Sequence, residues 1–235
     1  MKRILIIITA IICLVGCSKK DDTNSVSYGL LQALQDENPS INISYLYEGV
    51  VEFMPAEPKV GIAFYPGGNV EYIAYAPLMA ELAKQGYLCL LIRMPADLAM
   101  LNQNVGVKLR NQYEEIPHFY LAGHSLGGVT ASMTLASNLE EFDGLILLAA
   151  YSTKDLSECG KTVISIYGSE DGVLNRDTYN QNKKYLPADL HEYIIEGGNH
   201  SGFGYYGHQD GDNEATISGA EQREKAAEYI AKYAK

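Results

Sequence analysis

Short apolar runs separated by longer amphipathic stretches set the tightest limit on what this chain can fold into. Val60–Tyr65, Tyr87–Arg93, His118–Ala122, Leu145–Ala149, Thr162–Tyr167 and His191–Ile195 read as strands. Runs that are mostly apolar suit strands covered on both faces, as in parallel sheets. Between and after them, Ala74–Gln85, Asp97–Glu115 (with a soft middle at Gly106), Leu126–Asn138 and Glu214–Ala234 read as helices. Val26–Leu34 reads as a short helix and Ile41–Met54 as one or two edge strands. This alternation predicts an α/β domain with a mostly parallel central sheet flanked by helices. The length of 235 residues fits one domain or a small pair, and no internal repeat is present. The longest stretch without a pattern, Ser201–Asn213, is rich in Gly, Tyr and Asp, and long loops in compact domains are often functional.

The first residues have another purpose. Met1-Lys2-Arg3 is basic, Ile4–Val15 is almost unbroken apolar sequence, and small residues follow. This is the shape of a secretory signal, and the run is shorter than the ~20 apolar residues that span a bilayer. The ending Leu14-Val15-Gly16-Cys17 resembles a bacterial lipobox. That resemblance implies removal of residues 1–16 and a lipid on Cys17, which anchors an exported protein to a bacterial membrane. Residues 17–27 read as a flexible tether and 28–235 as the folded domain. The formal net charge is -11, and loss of Lys2 and Arg3 with the signal makes it -13. Such an acidic chain repels phosphates, so nucleic acid is not an expected partner. Cys13 leaves with the signal and Cys17 is acylated, which leaves Cys89 and Cys159. Two cysteines are too few for a disulfide scaffold, and Cys89 reads as a small core residue. No metal-ligand spacing of the Cys-x-x-Cys or His-Glu-x-x-His kind occurs, and no cofactor is expected.

The strongest chemical motif is Gly123-His124-Ser125-Leu126-Gly127-Gly128, placed after an apolar strand and before a helical run. A nucleophilic Ser needs a sharp strand-to-helix turn that lifts its oxygen clear of the sheet, and the glycines relieve the crowding this causes. A Ser hydroxyl also needs a base. Of five His, His200 sits in the Gly-rich segment after the last strand, where such a base belongs, with His208 in the same loop. The base needs an acid, and Tyr167-Gly168-Ser169-Glu170-Asp171-Gly172 ends the fifth of these strands. Asp171 is the first choice there and Glu170 the second. The order Ser125, Asp171, His200 is that of nucleophile, acid and base in the sheet-based hydrolases that use this elbow. The oxyanion needs preorganised donors, for which the Leu126 amide is one candidate. The second comes from Pro66-Gly67-Gly68-Asn69, with Gly68 ahead of Asn69 because Gly allows close approach of substrate.

Five segments together resemble the α/β-hydrolase fold-5 family. They are Phe64-Tyr65-Pro66-Gly67-Gly68-x-Val70-Glu71, Ala74-Tyr75-Ala76-Pro77, the Ser125 elbow, Tyr167-Gly168-x-x-Asp171, and Gly197-Gly198-Asn199-His200-x-x-Phe203-Gly204. The resemblance covers roughly residues 59–232 and implies an α/β-hydrolase fold with Ser125, Asp171 and His200 as triad. Some members are labelled dienelactone-hydrolase-like, but dienelactone hydrolases proper use a Cys nucleophile where this chain has Ser125. The oxyanion loop also has Tyr65-Pro66-Gly67 where many relatives have His-Gly. Only about a dozen residues, 151–161, separate the fourth and fifth of these strands, so no cap domain is expected. The Ser201–Asp212 loop, with Phe203, Tyr205 and Tyr206, is expected to wall one side of the site. The expected activity is hydrolysis of a small-molecule carboxylic ester, or a related acyl bond, through an acyl-enzyme. Acyl transfer would use the same triad, and a non-catalytic surface-binding lipoprotein is the reading outside enzymology.

Overall fold

The apolar runs fold into adjacent strands because each has two faces to cover. In Val60–Tyr65, Ile62 and Phe64 enter one core and Ala63 and Tyr65 the other. Tyr120 and Ala122 are divided from Phe119 and Leu121 in the same way, as are Ile146 and Leu148 from Leu145 and Leu147. The structure, a computed structural model, describes residues 23–46 and 49–235. The signal segment 1–16, Cys17 and the start of the tether lie outside the described residues.

In chain order the elements are α1 (Thr23–Glu37), β1 (Ile41–Leu46), β2 (Val50–Pro55), β3 (Val60–Tyr65), α2 (Ala76–Lys84), β4 (Tyr87–Ile92), α3 (Val105–Arg110), β5 (His118–His124), α4 (Leu126–Ser137), β6 (Gly144–Leu148), β7 (Thr162–Gly168), α5 (Arg176–Asn182), β8 (His191–Ile195) and α6 (Gly219–Tyr233). They build one eight-stranded sheet in the order β1-β2-β4-β3-β5-β6-β7-β8. β1 pairs antiparallel with β2, and β2 with β4; all other pairs are parallel. Leu31 of α1, Leu78 and Leu82 of α2, and Ala226 and Ile230 of α6 cover one face. Leu109 of α3 and Ala131 and Leu135 of α4 cover the other. Sheet and helices together give the α/β-hydrolase fold.

The register aligns the carboxyl ends of the central strands. Tyr65 lies opposite Gly123, and His124 opposite Leu148. The loops leaving β3, β5 and β6 therefore emerge side by side, where ligands bind in parallel α/β sheets. Residues 149–161, between β6 and β7, contain neither helix nor strand.

Two expectations need correction, and one element was not expected. Residues 23–27, read as tether, belong to α1. The helix read over 97–115 shrinks to Val105–Arg110, because Ala96 and Asp97 take positive φ and 3-10 turns occupy Pro95–Asp97 and Ala99–Asn102 around an extended Leu98. The Gly106 amide donates to Tyr65 Oη at 3.1 Å, which pins this short helix to β3. A helix not read from the sequence, α5, starts where the Asn175 side chain accepts from the Thr178 amide. Cys89 is buried and Cys159 half-buried, and both are free thiols. Among the described residues no helix is long and apolar enough to cross a membrane.

Candidate active site

Ser125 lies between β5 and α4 with φ 52° and ψ -122°. A non-glycine residue held there costs about 1–3 kcal/mol, so the surroundings must enforce it. They do so through backbone. The Ser125 amide donates to the Leu148 carbonyl at 2.9 Å, and its carbonyl accepts from the Val129 amide at 3.1 Å. The turn is too tight for side chains on either side. A Cβ on Gly123 would lie 2.4 Å from the Gly127 carbonyl carbon, and one on Gly127 2.1 Å from the Tyr65 oxygen. Other strain lies along the same edge of the sheet. Among the described residues, non-glycine positive φ occurs at Asn69, Ala96, Asp97, Ser125 and Ala149. All five follow the carboxyl ends of β3, β4, β5 and β6.

His200 and Asp171 come together on the neighbouring loops. His200 Nδ1 lies 3.0 Å from Asp171 Oδ2 and 3.1 Å from Oδ1, and the residues are 1 % and 6 % exposed. Asp171 is fixed in turn by the amides of Val173 and Leu174, at 3.0 and 2.8 Å from Oδ1. With Nδ1 committed to the carboxylate, Nε2 on the far side of the ring is left to exchange a proton. It has no protein hydrogen-bond partner among the described residues. The runners-up are placed elsewhere. Glu170 accepts from the Ser169 hydroxyl, and His208 is exposed beside Glu214 at 3.7 Å.

The candidate oxyanion donors sort themselves by what their neighbours already do. The Gly67 amide donates to Tyr75 Oη at 3.1 Å, and the Asn69 amide to the Asp97 carbonyl at 3.0 Å. Asn69, the second choice from sequence, is thereby occupied. Leu126 opens α4, where first-turn amides have no carbonyl within the helix to bond. Gly68 lies against it: a methyl group on Gly68 would sit 2.9 Å from Leu126 Cδ2.

Ser125, Leu126 and His200 open on one cavity of about 220 Å3, lined also by Val129, Ala149, Ala150, Val173 and Leu174. Clefts of about 460 and 470 Å3 lie elsewhere, and neither is lined by Ser125, Asp171 or His200. The chemistry, and not the volume, selects the smaller one. The 201–212 loop does not line this cavity, contrary to expectation. Phe203 is fully buried against the His124 ring, with centroids 5.6 Å apart, and Tyr205 points outward, 67 % exposed.

Five residues to which sequence reading gave no such part brace these loops. Tyr75 Oη, besides taking the Gly67 amide, lies 2.8 Å from His124 Nδ1. His124 is buried behind Ser125 with its ring 4.5 Å from that of His200. Burial first, and the neighbouring His200 second, hold the His124 pKa well below the ordinary 6.5, with the His200 backbone working weakly the other way. On the base side, Gln222 of α6 exchanges two hydrogen bonds with the backbone of Asn199, at 3.0 and 2.7 Å. The Arg223 guanidinium donates to the Gly204 carbonyl at 2.9 Å. The Asp212 carboxylate accepts from the amides of Gly172, His200 and Asn213 at Oδ1 and of Ser201 at Oδ2, all within 3.1 Å. Among the described residues, no group of three or more His, Cys, Asp or Glu side chains is placed to hold a metal ion.

The same fold occurs in solved structures of low sequence identity. A "predicted CIB-like hydrolase" from Thermoplasma acidophilum is 12 % identical with TM-score 0.57, and Est1E from Butyrivibrio proteoclasticus is 15 % identical with TM-score 0.56. In both cases 82 % of this chain and 98 % of the other are covered. TT1662 from Thermus thermophilus is 14 % identical with TM-score 0.52, covering 81 % and 98 %. A search of curated proteins found no match. The sequence model of the alpha/beta hydrolase family matches residues 61–224, well over half of the 235, and the chain belongs to that family.

Proposed function

We propose that the protein is a serine hydrolase that cleaves small carboxylic esters through an acyl-enzyme. The observation that carries this reading is the opening of strained Ser125 and His200 on one cavity, with His200 Nδ1 paired to Asp171. Ser125 Oγ attacks the acyl carbon, and its proton passes to His200 Nε2. Asp171 fixes the tautomer that leaves Nε2 basic and stabilises the imidazolium that forms. The oxyanion is received by the Leu126 and Gly68 amides, which need not reorganise as charge develops. When the tetrahedral species collapses, the C–O bond breaks and the leaving alcohol takes the proton from Nε2. Water, deprotonated by the same nitrogen, then releases the acid and restores Ser125.

The cavity size supports a short acyl group. At about 220 Å3 it is smaller than the ~300–1,000 Å3 typical of sites for drug-sized ligands, and Ala149, Ala150 and Val173 give it an apolar wall. A fluorophosphonate probe is expected to label the protein at Ser125, and Ser125→Ala to remove both labelling and ester turnover. Labelling of the variant at the wild-type rate would defeat the assignment. Export and anchoring through a lipid on Cys17 belong to the same proposal. Cys17→Ser is expected to abolish incorporation of radiolabelled palmitate and to free the protein from membranes; retention of label would rule out Cys17 as the lipidated residue.

A further inference from the structure

We infer that Asp212 is the positioning residue that locks the acid and base loops of this site into register. The inference rests on the proposed Ser125–His200–Asp171 reading and extends it to a residue outside the triad. Asp171 and His200 come from different strands and are 29 residues apart in sequence. Their side chains meet only if the two loops hold a fixed separation. Gly172, next to Asp171, and His200 itself both donate their backbone amides to the same oxygen, Asp212 Oδ1, at 3.1 Å. Ser201 N–H takes the other oxygen at 2.9 Å, and Asn213 N–H closes the turn on Oδ1 at 3.0 Å. One carboxylate thus clamps both loops through atoms that no neighbouring side-chain substitution can remove.

Its surroundings suit that task. Asp212 is 9 % exposed. Burial alone would raise its pKa, but the amides of Ser201, Gly172 and His200 overcome this and hold it below the ordinary 3.8, so it stays charged. Packing is close as well: a Cβ on Gly172 would lie 2.6 Å from the Gly211 oxygen. Asp212 touches neither Ser125 nor the cavity, so it acts on geometry and not on substrate. This also accounts for the unpatterned 201–213 loop, whose far end returns to the base as a buried anion.

The test compares Asp212→Ala and Asp212→Asn with the wild-type chain on a short-chain ester, alongside proton NMR of the His200 Nδ1–H resonance. A proton shared between imidazole and carboxylate appears far downfield, and it reports the pairing whether or not the enzyme turns over. Asp212→Ala removes both acceptor oxygens, and with them the bonds from four amides, and is expected to lower kcat about 100-fold, since misplacement by about 1 Å costs that much. KM should change less than about threefold, because the cavity wall is untouched. The downfield resonance should broaden or vanish. Asp212→Asn keeps an oxygen for the three amides at Oδ1 and loses only the Ser201 acceptor, so about a tenfold fall and a retained resonance are expected. An unchanged kcat and resonance in Asp212→Ala overturn the inference, as does an effect confined to a rise in KM. Should the Ala variant fail to fold, the Asn variant decides: wild-type kcat there overturns it. Turnover surviving in Ser125→Ala would fault the triad reading alone, since the resonance would still show whether Asp212 sets the pairing.

Discussion

Gly68 on one side of Ser125 and His200 on the other are both loop residues at the carboxyl edge of the sheet, yet they are braced by opposite chemistry. Behind the proposed oxyanion loop stand two neutral rings. Tyr75 Oη takes the Gly67 amide and pairs with His124, which burial keeps uncharged. Behind the base stand charged groups: the Asp212 carboxylate collects four amides, and the Arg223 guanidinium takes the carbonyl of Gly204. The neutral brace fails when a proton is added to His124, and the ionic one when a proton is added to Asp212. The difference predicts two points of failure, separated by pH and by which of the proposed catalytic elements each disables.

The largest expected effect lies on the base side. Asp171→Asn leaves the loops and Asp212 in place but removes the carboxylate that selects the His200 tautomer. A fall in kcat of about ten-thousand-fold is expected, with a melting temperature close to wild type. A loss under tenfold would mean that Asp212, or no acid, serves His200. On the other side, Tyr75→Phe leaves the Gly67 amide and His124 Nδ1 buried without their partner. About 2 kcal/mol of destabilisation is expected from that unpaired polarity, read from urea unfolding. Turnover should fall about tenfold as the oxyanion loop loosens, with KM little changed. Loss of stability without loss of kcat would show that this brace is structural only.

Acid should break the two braces in separate windows. A histidine whose folded pKa is lowered is protonated more readily in the unfolded chain. Its contribution is therefore complete above the ordinary value of 6.5 and drains away as pH falls below it, by up to about 1.4 kcal/mol per pH unit. A carboxylate whose folded pKa is lowered contributes fully above its ordinary 3.8, and that contribution is lost only as pH falls through the folded value. Urea midpoints measured from pH 8 to pH 3 should show the first decline in wild type and lack it in His124→Asn. Asp212→Asn should keep the first decline and flatten the second. A single decline shared by all three proteins would erase the distinction.

Much of this was legible in sequence, for reasons that also explain what was not. The strands β3 to β7 could be read because burial on both faces forces continuous apolar runs. The elbow could be read because Gly123 and Gly127 are demanded by backbone crowding, and Asp171 and His200 because each follows its strand directly. The braces act at a distance or through backbone, and neither leaves a local pattern. Tyr75 and His124 are 49 residues apart, and Asp212 bonds chiefly backbone amides, which every non-proline residue has. The long helix expected over 97–115 failed at Ala96 and Asp97, whose left-handed angles no periodicity signals. In α5 the segment Arg176–Asn182 buries only Tyr179, so no apolar stripe announces it.

The smallest expected effects come from α6 and sharpen what bracing means, because one helix carries both a working and an idle face. Arg223 is 7 % exposed and points into the base loop, where its donors meet Gly204 and, at 3.3 Å, Gly202. Arg223→Ala leaves those carbonyls without charged donors, and about 1–2 kcal/mol of stability should be lost. Two residues on, Lys225 pairs with Glu221 at 2.7 Å on the solvent side. That pair is as short as any contact in the site, yet water screens it and the flexible side chains lose entropy in forming it. Lys225→Ala should therefore leave both kcat and the urea midpoint unchanged. A drop for Lys225→Ala as large as for Arg223→Ala would show that the helix as a whole, and not its buried polar contacts, holds the base loop in place.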